Sequence, residues 1–199
     1  GPNSDRQAVI KAIQSDGGFA IVWRPNWLES YNHCPQELLE TWEGYTGIEI
    51  YNGVSRRAQG SPHATDRWDR LLAMERRVWG YANDDNHKDQ DRGVAWNYVQ
   101  ADKRNAGAVA RALREGRVYA STGVVIERIH AEGKTVTVET QNGQCHYVYA
   151  DHSRLQARVE GPSVSFTVPD DFPWHYIRFE TFGPGDAMGW TQPFFIERT

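Results

Sequence analysis

Residues 66–87 read DRWDRLLAMERRVWGYANDDNH, and their reading decides the fold. Trp68, Leu71 and Leu72 recur at helical spacing, with Thr65 placed to cap the helix and Glu75 marking its later course. VWGYA, 78–82, then has the length and apolar content of a strand, and polar residues follow at once. Helix, strand and loaded strand end form one unit of an alternating α/β pattern. Upstream the pattern repeats. RQAVIKAIQSDGG, 6–18, carries Val9, Ala12 and Ile13 on one helical face and ends in paired glycines. FAIVW, 19–23, reads as a strand. CPQELLETWEGYTG, 34–47, sets Pro35 in a first turn and Leu38, Leu39 and Trp42 on an apolar side. IEIY, 48–51, is the next strand, VAWNYV, 94–99, another, and NAGAVARALREG, 105–116, a helix stopped by Gly116. The strands at 19–23, 48–51 and 78–82 are expected to lie parallel in one sheet.

After Gly123 the period changes to two. KTVTVET, 134–140, alternates, and Asn142-Gly143 predicts a tight hairpin before CHYVYA, 145–150. LQARVE, VSFTV, YIRFET and TQPFFI add short extended segments. The expected organisation is an α/β domain over 1–122 and an antiparallel β-rich sandwich over 123–199.

Composition narrows the classes. The chain has 199 residues, a formal charge of −4, 8 Trp and 9 Tyr. Scattered basic residues argue against nonspecific duplex binding, so no nucleic-acid partner is expected. No apolar run approaches the roughly 20 residues that cross a bilayer, so no membrane partner is expected either. Cys34 and Cys145 read as isolated thiols or as one bridge, and a cytoplasmic address is the default. The opening GPNS, 1–4, reads as a cut end.

Ligands gather at the carboxyl ends of parallel strands, so three strand ends supply the candidate site. FAIVW delivers Arg24 and Asn26; IEIY carries Glu49 and ends at Asn52; VWGYA delivers Asn83, Asp84, Asp85 and His87. Asp85 and His87 can address one metal from a loop, with zinc, manganese or iron suited to the donors. They can equally form a capped, salt-linked turn, which spacing alone favours. Arg24 can hold an anion or pair with Glu49 or Asp85, and local pairing is the stronger reading. Glu49 faces either a site mouth or solvent. Trp23, Trp27, Trp79 and Trp96 line a cavity or, more simply, pack a core. His63, in SPHATDRWDRLL, is a further rim candidate. Neither a glycine-rich phosphate loop, a GxSxG elbow nor a partnered nucleophilic cysteine is present, so no catalytic residue is assigned.

Taken together, GGFAIVWRPNW, GYTGIEIYNG, DRWDRLLAMERRVWGYANDDNH, DRGVAWNYV, ALREGRVYASTGVVI and the closing WTQPFF resemble the polymerase-and-histidinol-phosphatase (PHP) superfamily, in its carbaryl-hydrolase-like branch. The resemblance implies a distorted (β/α) barrel with a metal cluster at its mouth and hydrolysis by metal-activated water. It places Asp85 and His87 at the terminal Asp-x-His metal ligands and Arg24 at a ligand histidine, which a guanidinium cannot replace. The His-x-His and Asp-His motifs of the family's amino-terminal portion are absent. The expected fold class is therefore α/β: a partial PHP-type (β/α) barrel followed by a small antiparallel β-sandwich domain. The expected function is that of an incomplete PHP-like metallohydrolase domain, noncatalytic or with a binding or structural role. The alternative is a metal-dependent hydrolase of a phosphoester, carbamate or related ester, completed by missing sequence or another chain. Any metal is expected to bind weakly. A missing barrel front should expose sheet edge, which a homodimer or a completing subunit would cover.

Overall fold

The computed structural model describes residues 5–28 and 32–197; residues 1–4, where the cut end was expected, lie outside them. Strands β1 (Ile21–Val22), β2 (Gly47–Asn52) and β3 (Trp79–Asn83) form a three-stranded parallel sheet in the order β1-β2-β3. All three run as the alternation predicts. β2 is central and buried along its whole length, as expected of a parallel strand covered on both faces.

The barrel expectation does not survive. Among the described residues there are only four α-helices, thirteen strands and three sheets, and no sheet closes into a barrel. The parallel run stops after β3. The next strand, β4 (Trp96–Val99), instead pairs antiparallel with β5 (Val118–Ser121), Trp96 opposite Ser121. Those two strands begin a seven-stranded sheet whose path continues through β12 (Met188–Trp190), β11 (Tyr176–Phe182), β8 (Cys145–Ala150) and β9 (Arg154–Glu160), with β13 (Phe194–Phe195) also on β11. The physical reason lies at the outer edge of β3. Asn97 accepts from the Ala82 amide (3.0 Å) and donates to the Ala82 carbonyl (2.8 Å). Gln192 does the same at Gly80, at 2.9 and 2.8 Å. Two carboxamides thus satisfy backbone groups that a fourth parallel strand would have paired. The outer edge of β3 is thus covered within the chain.

Helix α1 (Arg6–Ser15) buries Ile10 and leans on Ile13, whereas Val9 and Ala12 are exposed, so its inner face is rotated from the predicted one. Gly17, at φ +75°, turns the chain out of the helix as Gly18 N–H reaches the Ile13 carbonyl. Helix α2 (Gln36–Thr41) buries Leu39 beneath Trp42. Helix α3 (Thr65–Ala73) buries Trp68, Leu71 and Leu72 as read; Thr65 is its first residue rather than its cap, which falls on Ala64. Trp68 lies against Gly80, where a side chain would come within 2.9 Å of its ring, and its indole donates to the Val78 carbonyl at 2.9 Å. Helix α4 (Ala106–Arg114) starts on Asn105, whose side chain accepts from Ala108 N–H at 2.8 Å.

The carboxyl-terminal strands form a sandwich. A small sheet in the order β10 (Ser163–Thr167), β7 (Thr135–Thr140), β6 (Ile126–Glu132) packs Val136, Val138 and Val164 against Val148, Ile177 and Phe179 of the larger sheet. The Asn142-Gly143 step is therefore not a hairpin turn: β7 and β8 belong to different sheets, and the step carries the chain across the sandwich. Asn142 holds that crossing by accepting from Val125 N–H and donating to the Gly123 carbonyl, both at 2.9 Å.

Along β11 the side chains alternate. Ile177 and Phe179 enter the sandwich core, while Tyr176, Arg178 and Glu180 face the other way, towards α3. There Arg178, 1 % exposed, donates to both oxygens of buried Asp69 at 2.6 Å and to Glu180 at 2.7 Å. Tyr176 donates to Asp69 at 2.7 Å, and Ser153 also donates to it. This buried network fastens α3, and with it the parallel sheet, to the antiparallel sheet.

Candidate functional site at the parallel strand ends

The carboxyl ends of β1, β2 and β3 bring together most of the residues the sequence singles out. Asn52 and Asn83 are register partners at the ends of β2 and β3. A register irregularity between Glu49 and Tyr51 lies just behind them. Glu49, 2 % exposed, turns inward to the rim. Its Oε2 accepts from the Arg24 amide (2.8 Å) and Asn52 Nδ2 (2.9 Å), and its Oε1 accepts from Asn83 Nδ2 (2.9 Å). Burial raises its pKa, the three hydrogen bonds oppose that rise, and the neighbouring Asp85 carboxylate adds to it.

Arg24 closes the cluster. Its guanidinium makes an ion pair with Asp85 and lies over the Trp27 ring at 4.1 Å, with Trp23 at 5.4 Å. Asn52 Nδ2 reaches the same Asp85 oxygen at 3.2 Å, while its Oδ1 accepts from Ser55 N–H and Oγ. Arg24 and Asp85 are both left-handed, at φ +52° and +53°. A non-glycine residue there costs roughly 1–2 kcal/mol. Both members of this ion pair carry that strain, and their pairing offsets it.

The remaining predicted residues have other duties. Asp84 accepts from the amides of Gly93 (2.9 Å), Val94 (2.7 Å) and Ala95 (2.8 Å), tying off the loop after β3. His87 is exposed and sets Nδ1 2.5 Å from the Asp85 carbonyl, with the Asp85 carboxylate 3.8 Å away. Asn26 donates to the His63 carbonyl at 2.5 Å and to Asp66 at 3.1 Å, joining the strand-end loop to the start of α3. His63 itself stands apart, edge-on to Tyr51.

Sequence reasoning passed over Asp91. This buried carboxylate accepts from Arg57 Nε (3.1 Å) and Nη2 (3.0 Å) and from the amides of His87 and Lys88. The Arg57 guanidinium holds it below the usual carboxylate range. It fixes the loop carrying His87, and no local motif announces a pairing across 34 residues.

The donors present do not fit the metal that the resemblance implies. Among the described residues no three His, Cys, Asp or Glu side chains converge as ligands. Both Glu49 oxygens are engaged, one Asp85 oxygen is held by Arg24 and Asn52, and the guanidinium puts positive charge where a cation would sit. Compared with models of protein families, with curated proteins and with solved structures, the chain matches none.

Proposed function

We propose that this chain is a noncatalytic domain related to the PHP-like metallohydrolases, with a binding or structural role, in which the Arg24 guanidinium takes the part of a cation at the strand ends. The observation that carries the proposal is the closed cluster: Arg24, stacked on Trp27, neutralises Asp85, while Glu49 accepts from the Arg24 amide and from Asn52 and Asn83. Activating a water needs a held metal with an open coordination position, and three protein ligands are usual for catalytic zinc. Asp85 and His87 offer two donors, one of them already paired. A cytoplasmic address belongs to the same proposal, supported by two free thiols, Cys34 and Cys145. Among the described residues, no helix is long and apolar enough to cross a membrane.

Calorimetric titration with zinc and with manganese, on the wild type and on an Asp85→Ala/His87→Ala variant, tests the proposal. The expected result is the same weak or absent heat in both proteins, with no metal-dependent turnover of an aryl ester. Submicromolar binding lost in the double variant, together with turnover, would overturn it.

A further inference from the structure

A concave surface lies away from the strand-end cluster. A cleft of about 470 Å³ opens between the 3-10 turn after β2 (Val54–Arg57) and the β11–β12 connection, within the roughly 300–1,000 Å³ range of small-molecule sites. Its floor is aromatic. Tyr51 and His63 meet edge-on at 5.0 Å, and both contact the buried Trp190 ring, at 5.6 and 6.0 Å. Met188 and Phe182 add apolar lining. One wall is pinned: Thr122 donates to the Asp186 carbonyl at 3.2 Å and accepts from Met188 N–H at 2.9 Å.

Two opposite charges face this space without pairing. Arg56 comes from the first wall and Asp186 from the second; both are exposed, and neither side chain makes an ion pair or hydrogen bond among the described residues. Both act on the Tyr51 phenol, whose pKa burial raises, Arg56 opposing the rise and Asp186 adding to it. Burial also lowers the His63 pKa and so favours its neutral ring, which offers one donor and one acceptor. A plain anion would be attracted by Arg56 and repelled by Asp186, and a plain cation the reverse. A ligand carrying both charges complements both walls at once, with a charge-assisted hydrogen bond at each.

We propose that the cleft binds a small zwitterion of the amino-acid or short-peptide class, its carboxylate on Arg56, its ammonium group on Asp186 and its body over Tyr51, His63 and Met188. The inference stands apart from the noncatalytic reading: Arg24, Glu49 and Asp85 do not line the cleft, so zinc binding at Asp85 would overturn that reading and leave this one intact.

The test uses glycyl-leucine as probe on the full chain, followed by the methyl signal of Met188 and the imidazole signals of His63. Saturable shifts are expected by tens of millimolar probe. N-acetylated and carboxamide forms of the dipeptide should each bind at least tenfold more weakly. Arg56→Ala should abolish the difference between the dipeptide and its carboxamide, and Asp186→Asn the difference between the dipeptide and its acetylated form. Both positions are exposed, so the variants should fold, and matching melting curves check this. Absence of saturable shifts, or equal binding of the blocked dipeptides to the wild type, would overturn the proposal.

Discussion

Arg24 decides how the strand ends behave. Its charge is held between an acidic partner and an aromatic ring, mostly out of water. Removing one member of such a pair leaves the other buried and uncompensated, so Arg24→Ala should lower stability by about 3 kcal/mol in urea unfolding. Arg24→Lys should recover only part, because a lysine ammonium cannot lay a planar group on Trp27. Glu49 supplies a pH signature. Its folded pKa is raised, so the folded state holds its proton more tightly than the unfolded chain. That contribution is fully present below the ordinary value of 4.5 and is lost as pH rises through the folded pKa. The stability of the wild type relative to Glu49→Gln, followed by urea midpoints from pH 4 upward, should therefore fall as pH rises through the folded pKa. A difference independent of pH would remove the burial argument. The residues gathered at this rim were legible, because polar side chains behind short apolar runs mark strand ends. Their partners were not. Asp84 and Asp85 are neighbours of one type, yet one ties amides of its own loop and the other meets Arg24 from a distant strand end.

At the scale of elements, two carboxamides stand in for a strand. Gln192→Ala should strip the partners from the Gly80 N–H and C=O, and Asn97→Ala those from Ala82. Leaving such groups unpaired costs about 1–3 kcal/mol. Hydrogen exchange should accelerate at the Gly80 amide in the first variant and at the Ala82 amide in the second; unchanged exchange would show that the side-chain pairings do not protect the edge. This is also where the barrel reading failed. Periodicity announced β1, β2 and β3 and their parallel sense, but VAWNYV reads the same whether it pairs parallel or antiparallel. The choice rests on Asn97 and on Gln192, which is 112 residues from Gly80. Asn142-Gly143 failed for a similar reason: local turn chemistry does not tell a hairpin from a crossing between sheets.

Across the whole molecule, the parallel and antiparallel sheets are fastened at Asp69, Arg178 and Glu180. Arg178→Ala leaves the buried Asp69 and Glu180 carboxylates without their cation, and should destabilise by at least about 3–5 kcal/mol. Circular dichroism during thermal unfolding would register this as a lowered or split transition. Asp69 and Arg178 are 109 residues apart, and nothing in either segment names the other. The lock at the strand ends is the account's central claim, and a double-mutant cycle tests it most directly. Arg24→Ala, Asp85→Asn and the combined variant, compared by urea unfolding, isolate the coupling, since Asn tolerates the left-handed backbone at residue 85. The account predicts a coupling of about 2 kcal/mol between the two positions. Additivity within about 0.5 kcal/mol would contradict it, and would mean that Arg24 and Asp85 do not hold each other.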